Sequence, residues 1–311
     1  MIGKSSFSFG HSRRVLSEAK GEKDPELNEI LQEQHNVDFK TNRGALPFWR
    51  LMVLQDAEVP SSFTASLIFH HGIGEGAAGL VFHKFFREAL NIALSSPSTL
   101  ENGSPMVDIS PSTRLLPPLE QLHPLPLPKS APNFRREGSQ GWTGKEIRLP
   151  CTSRYQTLYL SSASSAKFAK RCMESRLTVT CGLHAIVAGA LFDALPSTVD
   201  ALTGIIPINL RPWIDLPRDT ANDAIGSFID AIKVQVCRSR YDVKNEAKMR
   251  GFSAARHASE EIHRYLNGNP SPTGESYTSV AAFEAIPDVA GAFKSMIGTT
   301  RDAAFEVSNL G

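Results

Sequence analysis

Cysteine is scarce in this chain. The four present, Cys151, Cys172, Cys181 and Cys237, form no CxxC pair and no metal-like spacing. That argues against a disulfide scaffold and a structural zinc site, and leaves reduced thiols in a cytoplasmic protein as the expectation. Charge of one sign is lacking too. Thirty-three Lys and Arg face 32 Asp and Glu, a net +1. Nothing electrostatic therefore calls for a nucleic acid or an anionic membrane surface. No apolar run approaches the roughly 20 residues of a transmembrane helix. The start, Met1 to Gly10, has no continuous apolar core for a signal peptide. There is no HExxH and no internal repeat. What is there is ordinary for a globular protein: 41% hydrophobic and 21% charged residues. At 311 residues the chain is long enough for two lobes or one large domain.

Periodicity divides the sequence. Residues 11–35 read as polar helix, with Pro25 at a first turn. Leu46–Leu54 and Thr64–Phe69 read as strands joined by a turn at Glu58–Ser62. An amphipathic helix follows from about Gly76 to Leu94. Its stripe of Phe82, Phe85, Phe86, Ala89 and Ala93 is expected to be core. From Ser95 to about Gly144 the composition shifts to proline, serine and short leucine pairs, too long for an ordinary loop. We read a domain over 1–95, a crossing linker over 96–144 and a second domain over 145–311. In that second domain, Lys145–Leu149 and Tyr155–Leu160 look like strands. Ser161–Ser175 looks like a helix capped by Ser161 or Ser162. A helix over Cys181–Leu195, a buried strand over Ala201–Leu210, an alternating strand through Ile232, Val234 and Val236, a charged helix over 243–266 and a strand from Ala304 complete the pattern.

The stretch that carries chemistry is His70-His71-Gly72-Ile73-Gly74-Glu75-Gly76, between a buried strand and the amphipathic helix. A free imidazole, with its ordinary pKa near 6.5, is a usable base at neutral pH. It suits the transfer of a proton from an alcohol whose oxygen attacks a carbonyl. His71 is the better candidate, because the acidic Glu75 lies four positions after it. Glu75 is expected to shape the loop by pairing with an arginine rather than to touch substrate. The glycines, Gly76 among them, allow a tight turn. Two other readings use the same residues. Gly74-Glu75-Gly76-Ala77-Ala78-Gly79 fits G-x-G-x-x-G, but a dinucleotide fold needs a parallel strand soon after the helix, and here a proline-rich segment follows. A metal held by His71, Glu75 and His83 needs a helix that begins before the glycines. The reading adopted has no metal and no bound cofactor.

The His segment resembles the HHxxxDG motif of the chloramphenicol-acetyltransferase-like superfamily, which includes acyltransferases dependent on coenzyme A and the condensation domains of peptide synthetases. Further segments resemble its fungal alcohol acetyltransferase branch, in family order. Leu46-Pro47-Phe48-Trp49-Arg50 is similar to "lPlWR", Ile206-Pro207-Ile208-Asn209-Leu210-Arg211-Pro212 to "NLRP", Asn222–Phe228 to "IG-F", and Phe305–Gly311 to "SNLG". The resemblance implies an α+β fold of two similar lobes, each a mixed sheet flanked by helices, with a tunnel between them and His71 near its middle. Because the chain starts late and stops at the SNLG segment, terminal strands of that fold are expected to be missing. The resemblance further implies acetyl-CoA as co-substrate, a small-molecule alcohol as acceptor, and direct transfer without an acyl-enzyme. His71 would be the catalytic base, with His70, Glu75 and Gly76 structural within the motif. Asn209 and Arg211 would line the channel, and Ser308 and Asn309 would donate to the oxyanion. Thr180 and His184 read as structural. Glu75 stands where the family has Asp, which leaves a catalytically impaired or inactive truncated paralogue as the alternative. An oxidoreductase dependent on NAD(P) is the other.

Overall fold

The computed structural model describes residues 25–39, 46–55, 62–95, 115–122, 141–241, 251–267 and 287–310. Outside them lie the expected helical start at 11–24, most of the turn at 58–62, most of the proline-rich segment and residues 243–250 of the charged helix. The described residues have the expected α+β class. In chain order they form α1 (Pro25–Asn36), β1 (Trp49–Gln55), β2 (Phe63–Phe69), α2 (Gly76–Ser95), α3 (Leu119–Leu122), α4 (Ser162–Glu174), α5 (Val179–Ala194), β3 (Ala201–Asn209), α6 (Arg218–Asn222), β4 (Ile229–Cys237), α7 (Phe252–Leu266), α8 (Val289–Ser295) and β5 (Phe305–Glu306). They divide into two compact units. One takes the described parts of Met1–Pro118 with Thr152–Leu160 and Leu216–Phe228. The other takes those of Leu119–Cys151, Ser161–Asp215 and Ile229–Gly311.

In the first unit β1 and β2 form an antiparallel pair, with Trp49 opposite Phe69 and Gln55 opposite Phe63. Proline opens α1 as expected. Arg50 closes it from the far side: its guanidinium donates to the carbonyls of Gln34, Val37 and Asp38, beyond the reach of intrahelical partners. The segment expected as a strand at Tyr155–Leu160 is not one. Its amides are met by side chains on one face of α1 instead. Thr157 N donates to Asn28 Oδ1 at 2.9 Å, Tyr155 N to Gln32 Oε1 at 3.1 Å, and Ser153 N to Asn36 Oδ1 at 2.8 Å. Residues 28, 32 and 36 recur at i, i+4 and i+8, so three carboxamides stand in for a neighbouring strand. The stripe expected as core on α2 is also shifted. Ala78 and Val81 are buried, Phe82 and Phe86 stack 5.9 Å apart, and Phe85 and Ala89 are exposed.

The second unit is built on a mixed three-stranded sheet in the order β4-β3-β5. β3 runs antiparallel to β4 over nine paired positions and parallel to the short β5. Ala201, Leu202, Ile206, Ile232, Val234 and Val236 are fully buried, as the strict alternation of β4 requires. Helices α5 and α7 pack on that sheet and on each other. Ser161 caps α4 through Ser164 N, and Thr178 caps α5 through Cys181 N. Lys145–Leu149, expected as a strand, is irregular. Ile147 trades backbone hydrogen bonds with Thr299 and Gly298 instead of joining a ladder. At the other end of α5, Arg238 donates to the carbonyls of Phe192, Leu195, Pro196 and Val199 and lies 4.8 Å over the Phe192 ring.

Candidate functional site

β2 ends at Phe69, and the chain turns at once. His70 remains extended (φ −71°, ψ 129°) and its amide donates to Phe48 O at 2.8 Å, continuing the β1–β2 ladder by one bond. His71–Ile73 form one turn of 3₁₀ helix, closed by Ile73 N donating to His70 O. Gly74 and Glu75 then lead into α2.

The two histidines are in different situations. His70 Nδ1 accepts a hydrogen bond from Gly72 N at 3.0 Å. The neutral ring therefore carries its proton on Nε2. The Phe39 and Phe48 rings lie beside it, at centroid distances of 6.1 and 5.8 Å, in edge-on and tilted arrangements. His70 is thus a bracket for the turn. His71, next to it, is exposed as His70 is, and it lines neither of the two cavities described below, although the resemblance places it inside a tunnel. Glu75 is only 4% exposed, and its Oε2 accepts from Ala77 N at 2.6 Å. A carboxylate before Gly76 that takes the amide two residues on is a helix N-cap, favoured further by the α2 dipole. The longer side chain at the aspartate position of the resembled motif therefore holds the loop to the helix from inside. Gly76 is the first residue of α2.

An apolar cavity of about 260 Å³ lies beside this turn, within the first unit. Ile73 and Gly74 form part of its wall, with Trp49, Phe69, Phe82 and Ile225 among the others. A larger cavity, about 450 Å³, lies in the second unit among α4, α5 and α7, and none of the eight expected site residues lines it.

The other four expected residues belong to the second unit. Asn209 and Arg211 are brought together at the end of β3, where Asn209 Oδ1 accepts from Arg211 N at 3.1 Å and from Arg211 Nη1 at 3.3 Å. Arg211 is only 4% exposed and Asn209 is exposed. Ser308 and Asn309 follow β5 and are exposed, and Asn309 Nδ2 donates to Thr180 Oγ1 at 3.1 Å. Thr180 thus ties the SNLG segment to the start of α5. One turn on, His184 is 0% exposed, its ring 4.9 Å from that of Phe305. Neither of its nitrogens has a hydrogen-bond partner among the described residues. Burial, with the charge of His257 a lesser cause, pushes its pKa down to about 4. Gly204 makes room for this contact. A Cβ there would overlap both the His184 and the Phe305 rings. Sequence reading marked His184 as structural but had no means of seeing its burial or the glycine facing it.

The dinucleotide reading finds no support in the topology. β2 pairs antiparallel with β1, and among the described residues no strand follows α2 in its unit. Among the described residues no three His, Cys, Asp or Glu side chains gather as a metal site, and no single helix is long and apolar enough to cross a membrane. All four cysteines are free thiols.

No family model matches the chain. It is 44% identical, over 306 residues and 98% of its length, to the probable alcohol acetyltransferase crmB of Aspergillus fumigatus. The chain spans 66% of that relative's length. It is also 26% identical over 123 residues, 38% of its length, to the O-acetyltransferase pigM of Monascus ruber, of which the match covers 24%. Both relatives are named as acetyltransferases.

Proposed function

We propose that this chain carries the acyl-transfer chemistry of an acetyl-CoA:alcohol O-acetyltransferase, with His71 as general base. The observation that carries the reading is the division of labour in the His pair. His70 is committed to Gly72 N and to two aromatic rings. His71, one residue on, is presented to solvent by a turn that Glu75 fastens to α2.

An imidazole nitrogen of His71 takes the proton of the acceptor hydroxyl as its oxygen attacks the thioester carbonyl. The new C–O bond gives a tetrahedral oxyanion. Its collapse breaks the C–S bond, and the proton passes from the imidazolium to the departing coenzyme A thiolate. Base assistance of this kind contributes roughly 10²–10⁴-fold. Holding the turn in one geometry matters as much, since a displacement of about 1 Å costs on the order of 100-fold. In this reading Glu75 and His70 position the base. Ser308 and Asn309 are the proposed oxyanion donors, and Asn209 and Arg211 the proposed channel residues. The acceptor is a small-molecule alcohol, the donor is acetyl-CoA, and no metal takes part.

Release of free coenzyme A from acetyl-CoA, followed with a thiol reagent in the presence and absence of a panel of alcohols, tests the proposal. Release that depends on alcohol, matched by formation of the acetate ester, is the expected result. No ester with any alcohol would overturn it.

A further inference from the structure

We propose that the cavity beside the His71 turn receives the apolar part of the acceptor, and that this part is flat and unsaturated. The inference rests on the acyl-transfer reading above and adds the substrate class.

Continuity comes first. Ile73 and Gly74 belong to the same turn as His71 and also wall the cavity. At a 3₁₀ rise of about 2 Å per residue, the base and the cavity wall are separated along the chain by only about 4 Å. The rim is accessible: Ile73 is 39% exposed and Ile225 54% exposed. A group lodged inside can thus leave a hydroxyl outside, at the rim.

The chemistry of the wall comes second. No charged side chain lines the cavity. The phosphates of coenzyme A would find no cation there, so the thioester's nucleotide end is not the occupant. Three aromatic side chains, Trp49, Phe69 and Phe82, line it, with the Trp49 and Phe82 rings 6.4 Å apart at 48°. Such rings favour an aromatic or conjugated guest at offset or edge-to-face geometry. At about 30 Å³ per water-sized volume, about 260 Å³ holds roughly nine such volumes, the scale of one or two fused rings. Gly74 keeps the cavity open. A Cβ there would sit 3.1 Å from Ala78 Cβ and 3.4 Å from Phe69 Cε2.

The test pairs turnover with a binding signal that needs no turnover. Emission of Trp49 is followed in a Trp142→Phe, Trp213→Phe background as 2-naphthalenemethanol is added. Saturable quenching, retained in His71→Ala, is expected. For turnover, the ratio of kcat/KM for 2-naphthalenemethanol to that for ethanol is compared between wild type and Ala78→Phe, which fills the cavity. The ratio should fall at least about tenfold, through KM for the aromatic alcohol. Ile225→Trp, placed at the exposed rim where it asks nothing of the interior, should lower the same ratio if Ala78→Phe fails to fold. Quenching without turnover of any alcohol would sustain the cavity and sink the transferase reading. Turnover with an unchanged ratio in the folded variants, or no saturable quenching, would sink the cavity and leave the transferase reading standing.

Discussion

Replacing His184 by Leu should make the second unit less sensitive to acid without weakening it at neutral pH. The ring is fully buried against Phe305 and Gly204 and lacks hydrogen-bond partners among the described residues. Its folded-state pKa of about 4 lies below the ordinary 6.5. Between those values the unfolded chain binds a proton that the folded chain refuses, so stability falls as pH falls. The contribution is fully present above about pH 6.5 and is lost progressively down to about pH 4. At 1.36 kcal/mol per pKa unit the whole span is about 3 kcal/mol. From pH 7 to pH 5 it is about 2 kcal/mol, roughly a 30-fold change in the unfolding equilibrium. His257 shifts in the same direction, through its own burial first and Arg240 second, and adds to the acid loss in the wild type. Leu is close to His in volume and brings no polar atom into the site, so its cost at pH 7 should be under about 1 kcal/mol. The assay is urea unfolding at pH 7 and pH 5, compared between wild type and variant. A variant that keeps the full wild-type difference would refute the reasoning, as would one that loses several kcal/mol at pH 7.

Two further substitutions probe the second unit. Arg238→Lys should destabilise by about 2 kcal/mol in thermal or urea unfolding, because a single ammonium cannot reach the four carbonyls that the guanidinium holds at the end of α5. Tyr265→Phe should cost about 1.5–3 kcal/mol, since Tyr265 Oη donates to the buried Asp230 Oδ2 at 2.7 Å and joins α7 to β4. Burial, then that hydrogen bond, raises the Tyr265 pKa, so the phenol stays protonated and no alkaline transition of this contact is expected below the ordinary tyrosine range.

Much of this was legible in the sequence because the signals were local. Alternation at 232, 234 and 236 gave β4. Ser161 marked a helix start through the amide it caps, whereas the helix expected from Cys181 begins at Val179 behind a Thr178 cap that was not foreseen. The strand–turn–helix around His71 followed from an apolar run, three glycines and an amphipathic stripe. What stayed hidden depended on distant partners. Tyr155–Leu160 has the composition of a strand, and only the spacing of Asn28, Gln32 and Asn36 on α1, more than 115 residues away, shows why it is not one. The role of Arg50 as a cap, the overlap that makes Gly204 a glycine, and the cap that Glu75 forms on α2 are facts about approach in space. No periodicity reports them. The same holds for the α2 stripe. Its spacing marks one face as apolar, but the packing beneath it selects Ala78 and Val81 for burial and leaves Phe85 outside.

The central claim is that the imidazole at position 71, and not its neighbour hydrogen-bonded to Gly72 N, moves the hydroxyl proton. The most direct measurement is ester formation from acetyl-CoA by His71→Ala beside wild type, with circular dichroism to show that both are folded. The account expects kcat to fall by about 10²-fold or more while the fold is retained. A folded His71→Ala protein that still forms ester at the wild-type rate would contradict it.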